Sequence, residues 1–130
     1  MHIKDKNGNI LCLIVKKHEM SEGKIFYTED DQEFQFASFR LQKDEVIDRH
    51  YHFQNTREIK HTSEAIIVYE GKLQLDIYDL SKEFIQSEIL VDGDVAILSS
   101  GGHALKLLEK SYFIEVKQGP YNENTDKERF

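Results

Sequence analysis

The chain of 130 residues contains a single cysteine, and this scarcity limits the class of protein it can be. One thiol cannot form an internal disulfide, so a hydrophobic core must hold the fold, as is usual in a reducing compartment. Cys12 lies in an apolar run from Leu11 to Val15. We therefore expect it to be buried and to behave as a small hydrophobe.

Long apolar runs and an excess of positive charge are also missing. No stretch approaches the ~20 apolar residues of a transmembrane helix, and the polar start lacks the charged-then-apolar order of a signal peptide. The formal charge is −7, from 24 acidic and 17 basic residues, whereas a phosphate backbone demands concentrated positive charge. We expect a cytoplasmic protein whose partners include neither nucleic acid nor membrane.

Several catalytic templates are absent as well. The sequence has no phosphate-cradling glycine loop and no Cys-x-x-Cys motif. Ser99 and Ser100, which lie close to His103, lack the Gly-x-Ser-x-Gly pattern that exposes a hydrolase nucleophile. The chemistry must therefore come from other residues.

What the chain does contain is a series of short apolar runs bounded by Gly, Asp, Asn and Lys, with almost no helical period. The sequence thus predicts an all-β domain, and the spacing of the runs is typical of a sandwich or barrel. The candidate strands are residues 10–17, 34–41, 64–70, 72–79, 84–90, 94–98, 103–108 and 112–117.

Three turns are expected to join neighbouring strands as hairpins. Glu70-Gly71 is the first, because glycine adopts positive φ without steric cost, and residues 81–83 and 109–111 are the others.

The parity of the third apolar run places a carboxylate on an apolar face. Side chains alternate along a strand, so Glu64 shares a face with Ile66 and Val68. A carboxylate there costs several kcal/mol unless it is paired or bound to a metal. We therefore expect Glu64 to have a charged, hydrogen-bonding or metal partner.

Histidines supply candidate partners. His50 and His52 precede Glu64, and His103 follows Gly101-Gly102. Two histidines at this spacing on an extended chain point to the same side. Three imidazoles and a carboxylate suit zinc or a first-row transition metal, so the predicted ligands are His50, His52, Glu64 and His103. His61 is a reserve ligand.

The same residues resemble motifs of the cupin superfamily. The end of the family's first motif, a Glu, six residues and a Gly, is matched from Glu64 to Gly71, and the second by the segment from Gly93 to His103. The resemblance covers roughly residues 45 to 117 and implies a double-stranded β-helix, or jelly roll. Eleven residues separate His52 from Glu64, against three or four in the family, so the histidine pair could belong to an insertion. Ser99 stands where the family has proline.

Other interpretations of these residues remain open. The histidine pair could be solvated, His103 could be a core histidine bonded to a carbonyl, and Glu64 could pair with Arg57. Arg57, Glu115 and Lys117 are predicted catalytic residues that would hold an anion or move a proton. The alternative for Glu115 and Lys117, which share a face of the last strand with Phe113, is a solvated stripe. Residues 1–119 are predicted to form one domain, and 120–130 a polar tail that is ordered only if it docks.

The resemblance implies a protein that binds a divalent transition metal, Zn, Fe, Mn or Ni, and acts on a small oxygen-rich metabolite. Isomerisation or epimerisation of a sugar or nucleotide-linked sugar is the leading hypothesis, and fold alone does not fix it. The alternatives are an Fe(II)-dependent dioxygenase and a binding or sensing module without turnover. A homodimer is expected. The run from Leu11 to Val15 is expected to be buried on both sides, and a second subunit is one candidate for what covers it.

Overall fold

A computed structural model describes residues 1–130 and contains ten β-strands and one short 3₁₀ turn at Lys17–Glu19. The predicted all-β class is confirmed, and every strand pairing is antiparallel. No helical segment has the length and apolar character needed to cross a membrane. The strands are β1 His2–Lys4, β2 Ile10–Val15, β3 Gly23–Phe26, β4 Ala37–Arg40, β5 Glu64–Glu70, β6 Lys72–Tyr78, β7 Phe84–Val91, β8 Val95–Leu98, β9 Gly102–Leu107 and β10 Tyr112–Lys117.

All eight predicted strands are present, and two of them, β5 and β10, have the predicted bounds. Strands β1 and β3, which are only three and four residues long, were not predicted. Strands this short contain too few alternating positions for a period of two to be recognised. The segment around the histidine pair, 43–63, contains no helix or strand, as its composition predicts.

The chain divides into two compact units. The first, here called the sheet unit, consists of residues 1–19 and 61–130, and the second, the inserted unit, consists of residues 20–60.

The sheet unit is built from two antiparallel sheets. One has five strands in the order β1-β2-β8-β5-β10, and the other has three in the order β7-β6-β9. A single hydrophobic core draws on both sheets, because Ile14, Ile66 and Leu98 of the first cluster with Leu75 and Ile77 of the second. The alternating burial of β6, with Leu73, Leu75 and Ile77 buried, is the predicted two-residue period.

Connections that pass from one sheet to the other distinguish this topology. β5 pairs with β8 and β10, whereas β6 pairs with β7 and β9, so the hairpin predicted at Glu70-Gly71 is wrong. The hairpin predicted at 109–111 is wrong for the same reason, since β9 and β10 lie in different sheets. Only the predicted hairpin at 81–83, between β6 and β7, is confirmed. Glycine between two strands marks a sharp reversal of the chain but does not say whether the partner strand is in the same sheet.

Two of these sheet-crossing turns touch each other. Gly71 has φ +101°, and a Cβ there would lie 2.6 Å from the carbonyl oxygen of Lys110 and 2.7 Å from Cα of Ser111. The Ser111 hydroxyl also accepts a hydrogen bond from the Lys72 N–H at 3.1 Å. Glycine is therefore required at this position by backbone conformation and by the close approach of the neighbouring turn.

Strand β2 is buried on both of its faces in a single copy of the chain. Cys12 and Ile14 belong to the core between the sheets, whereas Leu13 and Val15 are buried outside that cluster. Burial raises the pKa of the Cys12 thiol to about 12. The predicted burial of Cys12 and of both sides of this run is confirmed, and it requires no second subunit.

The turn between β7 and β8 is fixed by a buried carboxylate, Asp94. Its oxygens accept hydrogen bonds from the N–H groups of Lys17 at 2.9 Å and Val91 at 3.0 Å, and its Oδ2 lies 3.2 Å from the ammonium of Lys16. A buried charge is tolerated only when it is paired and hydrogen-bonded, and Asp94 is both. It joins the end of β2 to the turn at Asp92–Gly93.

The inserted unit contains one hairpin, formed by β3 and β4. The rings of Tyr27 and Phe36 stack just beyond it, with centroids 5.4 Å apart, and the Tyr27 hydroxyl lies 3.0 Å from that of Ser38. The backbone N–H of Lys60 donates to the carboxylate of Glu33 at 3.1 Å.

Candidate functional site

Glu64 and His103 form a carboxylate–imidazole pair that joins the two sheets of the sheet unit. Glu64 is the first residue of β5 and His103 is the second of β9, and Oε2 of the acid lies 3.2 Å from Nε2 of the imidazole. Of the predicted ligands, these are the two that the structure brings together in this unit.

Strand parity explains why the two side chains meet. Glu64 lies on the face of β5 that carries the buried Ile66 and Val68, as predicted. His103 alternates with Leu105, which packs against the core, and it stands opposite Ile77 in the pairing of β9 with β6. Both side chains therefore lie on the core-facing surface of their own sheet, at the end where that surface becomes polar.

The pair has an inner and an outer member. The Glu64 side chain is 14% exposed and that of His103 is 31% exposed, so the imidazole is the more accessible group. Oε2 of Glu64 is buried, and its approach to Nε2 lies outside hydrogen-bond geometry, which leaves this oxygen beside the imidazole without a hydrogen-bond donor. Interaction with His103 lowers the pKa of Glu64 despite the opposing effect of burial, and the positive charges of Lys117 and Lys127 act in the same direction.

A second ion pair adjoins the first. Lys117 stands directly opposite Glu64 in the pairing of β10 with β5, so the two side chains are on the same face of the sheet. The Lys117 ammonium lies 3.0 Å from a carboxylate oxygen of Asp126, whose side chain is 9% exposed. This hydrogen bond raises the pKa of Lys117. The same ammonium lies 4.7 Å from the ring centroid of Tyr121.

Asp126 belongs to residues 121–130, which we call the C-terminal strap. The predicted polar tail docks on the sheet unit: Glu128 forms a 2.8 Å ion pair with Lys82, and the Phe130 ring packs edge-on against Tyr78 at a centroid distance of 5.3 Å. A Cβ on Gly102, the residue before His103, would lie 2.8 Å from Phe130. The strap therefore contacts both β9, which carries His103, and β10, which carries Lys117.

The histidine pair lies in the inserted unit. The rings of His50 and His52 are neighbours, with centroids 5.3 Å apart, and those of Tyr51 and Phe53 are 5.4 Å apart. This alternation is the extended conformation that the His-x-His spacing predicts. Nδ1 of His50 lies 2.8 Å from the carbonyl oxygen of Asp48, and both imidazoles are exposed.

The structure contains no group of three or more His, Cys, Asp or Glu side chains placed to hold one metal ion. The donor sets that it does bring together are one carboxylate with one imidazole, and one pair of imidazoles. Catalytic zinc sites use three protein ligands, so neither set alone fits a resident catalytic metal. The four-ligand site stays a prediction.

The remaining predicted site residues are distributed over both units. Arg57 is exposed in the inserted unit, and His61 and Glu115 are exposed in the sheet unit. Glu115 shares the face of β10 that carries Lys117, as predicted, but Lys117 is the one engaged in an ion pair. Asp126 was not predicted as a site residue, because the sequence of the strap has no periodicity that would place any of its side chains.

Searches of protein-family models, of curated proteins and of solved structures find no match to this chain.

Proposed function

We propose that the sheet unit is a cupin-type jelly roll carrying an acid–base site for a small oxygen-rich metabolite, with isomerase or epimerase activity on a sugar or nucleotide-linked sugar. The fold part of this proposal is supported by the sheet-crossing connections at Gly71 and at residues 109–111, together with the motif from Glu64 to Gly71. The catalytic part depends on one observation, the pairing of Glu64 with His103 across the two sheets.

The unequal exposure of the pair assigns the roles. His103, the more exposed member, is the group that meets the substrate, and Glu64 is a positioning residue behind it. Because Nε2 faces the carboxylate, Nδ1 is the nitrogen that accepts the substrate proton. The lowered pKa of Glu64 keeps it ionised near neutral pH, where a carboxylate orients an imidazole and stabilises the imidazolium that forms.

The step is a proton transfer at a carbon next to a carbonyl group. Nδ1 takes the proton, the electrons of the C–H bond form a C=C bond, and the carbonyl oxygen becomes an enolate. The imidazolium then returns the proton. Return to the same carbon, after the enolate has turned its other face to His103, epimerises that carbon. Return to the former carbonyl carbon isomerises the sugar, because the hydroxyl proton of the deprotonated carbon passes to the former carbonyl oxygen and a new C=O bond forms there. No electrons are gained or lost overall, so the reaction requires no oxidant or reductant.

The Lys117 ammonium, on the same face as Glu64, supplies a positive charge that binds an anionic group of the substrate beside His103. A bound group held in this way fixes the orientation of the reacting carbon. Lys117 thus takes the anion-holding role predicted for it, while proton transfer belongs to His103.

Solvent hydrogen exchange tests the proposal without knowledge of the product. The protein is incubated in D₂O with a panel of aldoses, ketoses and nucleotide sugars, and NMR follows loss of the proton next to the carbonyl or the anomeric carbon. We expect exchange with at least one compound, reduced roughly 10²–10⁴-fold in His103→Asn. Glu64→Gln should retain more activity than His103→Asn, because its group acts through the imidazole.

His18→Asn is the matched control, since His18 is an exposed histidine of the same unit in the 3₁₀ turn. Its exchange rate should equal that of the unmodified protein. Exchange that persists in His103→Asn would overturn the assignment of the base. Binding of a compound without any exchange would overturn the catalytic proposal and leave a binding module.

A further inference from the structure

Lys117 is the starting point for an inference about the substrate. Its side chain shares a face with Glu64 and is paired with a carboxylate that comes from outside both sheets. An ammonium at the end of a β-sandwich is suited to bind the carboxylate or phosphate of a small molecule, because it is a compact positive charge with three donors. Here the ammonium is paired instead with the carboxylate of Asp126, a residue of the same chain.

Local structure in the strap sets the position of Asp126. The carbonyl oxygen of Asn122 accepts hydrogen bonds from the N–H groups of Thr125 at 3.1 Å and Asp126 at 2.9 Å, and its side chain accepts one from Asn124 at 3.0 Å. Asparagine commonly stabilises turns in this way. The turn presents the Asp126 carboxylate to Lys117, where it is nearly buried.

Two further contacts hold the strap beyond this turn. Glu128 pairs with Lys82, and the ring of Phe130 lies against Tyr78 and 5.5 Å from the Lys82 ammonium. The Glu128 side chain is 75% exposed, so that ion pair contributes little, as is usual for surface pairs. The strap is thus held chiefly by Asp126 in its middle and by Phe130 at its end.

We propose that the C-terminal strap is an internal inhibitor of the site, in which the Asp126 carboxylate occupies the ammonium of Lys117 that otherwise binds an oxyanion group of the substrate. This inference rests on the proposed function for the identity of the site, and it narrows the substrate class to anionic metabolites. Substrate binding then requires Asp126 to leave Lys117, so the strap and the substrate compete for one cation.

The charges around Lys117 are consistent with this competition. Glu64 and Glu115 also act on the ammonium electrostatically, but Asp126 is the carboxylate in contact with it. Glu64 is itself paired with His103, and Lys127 adds a positive charge nearby. Once Asp126 is removed, Lys117 is left without its contacting anion, at a site that also contains an imidazole.

Binding of inorganic phosphate to the full-length chain tests the proposal by calorimetry and by NMR titration. We expect Asp126→Asn to bind phosphate on the order of tenfold more tightly than the unmodified protein, since one unit charge in contact with the cation is lost. Lys117→Gln in the Asp126→Asn background should abolish the gain, and Lys117→Arg should retain most of it. Thermal unfolding of each variant identifies any that fail to fold.

Glu128→Gln is the matched control, because it removes the same charge from the same segment but not from Lys117. An equal gain in Glu128→Gln would overturn the proposal, since the effect would then come from net charge alone. No gain in Asp126→Asn would overturn it as well. The deuterium exchange experiment is independent of this one: phosphate binding can follow the expected pattern while exchange fails, and exchange can depend on His103 while Asp126 has no effect.

Discussion

Glu64 and Lys117 stand directly opposite each other in the pairing of β5 with β10, yet each forms its ion pair with a residue from a different part of the sheet unit. Glu64 pairs with His103 of the other sheet, and Lys117 pairs with Asp126 of the strap. The charges at this end of the sandwich are therefore divided into two pairs, one between the two sheets and one between β10 and the strap.

The low pKa of Glu64 predicts a loss of stability in acid. A carboxyl group whose pKa is lower in the folded state stabilises the fold at pH values above its pKa in the unfolded chain, which is ~4.3 for glutamate. This stabilisation is lost as the pH falls through the pKa of the folded state. Urea denaturation between pH 7 and pH 3 should show a steeper decline for the unmodified protein than for Glu64→Gln. Parallel curves would contradict the ion pair with His103.

The predicted metal site has a direct test in elemental analysis of untagged protein purified without chelator. The prediction is about one equivalent of Zn, Fe, Mn or Ni, as expected for a single site. If all four predicted ligands hold one ion, His50→Ala/His52→Ala and Glu64→Gln/His103→Asn should each lose it. Loss in only one of these double variants would assign the metal to that pair, and absence of metal before and after incubation with each ion would refute the site.

Gly71 should tolerate no side chain. Its φ of +101° strains any other residue, and a Cβ would collide with the turn at Lys110 and Ser111. We expect Gly71→Ala to lower the free energy of unfolding by about 2–3 kcal/mol. Gly8→Ala is the matched control, because Gly8 also has positive φ but its Cβ would meet open space, so a smaller loss of about 1 kcal/mol is expected there. Equal losses would show that the contact between the turns contributes nothing.

The Cys12 thiol should be unreactive while the protein is folded. It is fully buried, its pKa is raised to about 12, and the thiolate is the reactive form. A colourimetric disulfide reagent at pH 8 should label the unfolded chain rapidly and the native protein only at the rate of unfolding. Rapid labelling of the native protein would contradict the burial of β2.

The expected homodimer has a candidate interface on the outer face of β10. This strand is an edge of the five-stranded sheet, and Tyr112, Ile114 and Val116 are exposed along it. Exposed apolar side chains on an unpaired edge favour association with a second copy. Light scattering should give the dimer mass for the unmodified protein and the monomer mass for Val116→Lys. A monomer at micromolar concentration in the unmodified protein would refute the expectation.

Strand parity accounts for most of what the sequence analysis predicted correctly. Alternation placed Glu64 on an apolar face that requires a partner, and the partner is His103, one of the residues named with it. The contribution of Asp126 could not be predicted, because nothing in a polar segment of ten residues specifies which side chain meets Lys117. The strands that pair with β5 and β6 could not be predicted from a local pattern either, because core packing between residues far apart in the chain determines these pairings.

The position of β2 between β1 and β8 has a consequence for synthesis of the protein. Cys12 pairs with Leu98 and Val15 with Val95, so the edge of β2 that faces β8 has no partner until residues 95–98 have been made. Pairings between residues this distant form slowly, and an apolar strand with one open edge can associate with other chains in the meantime. Residues 10–15 should therefore bind chaperones on the ribosome until β8 has been synthesised.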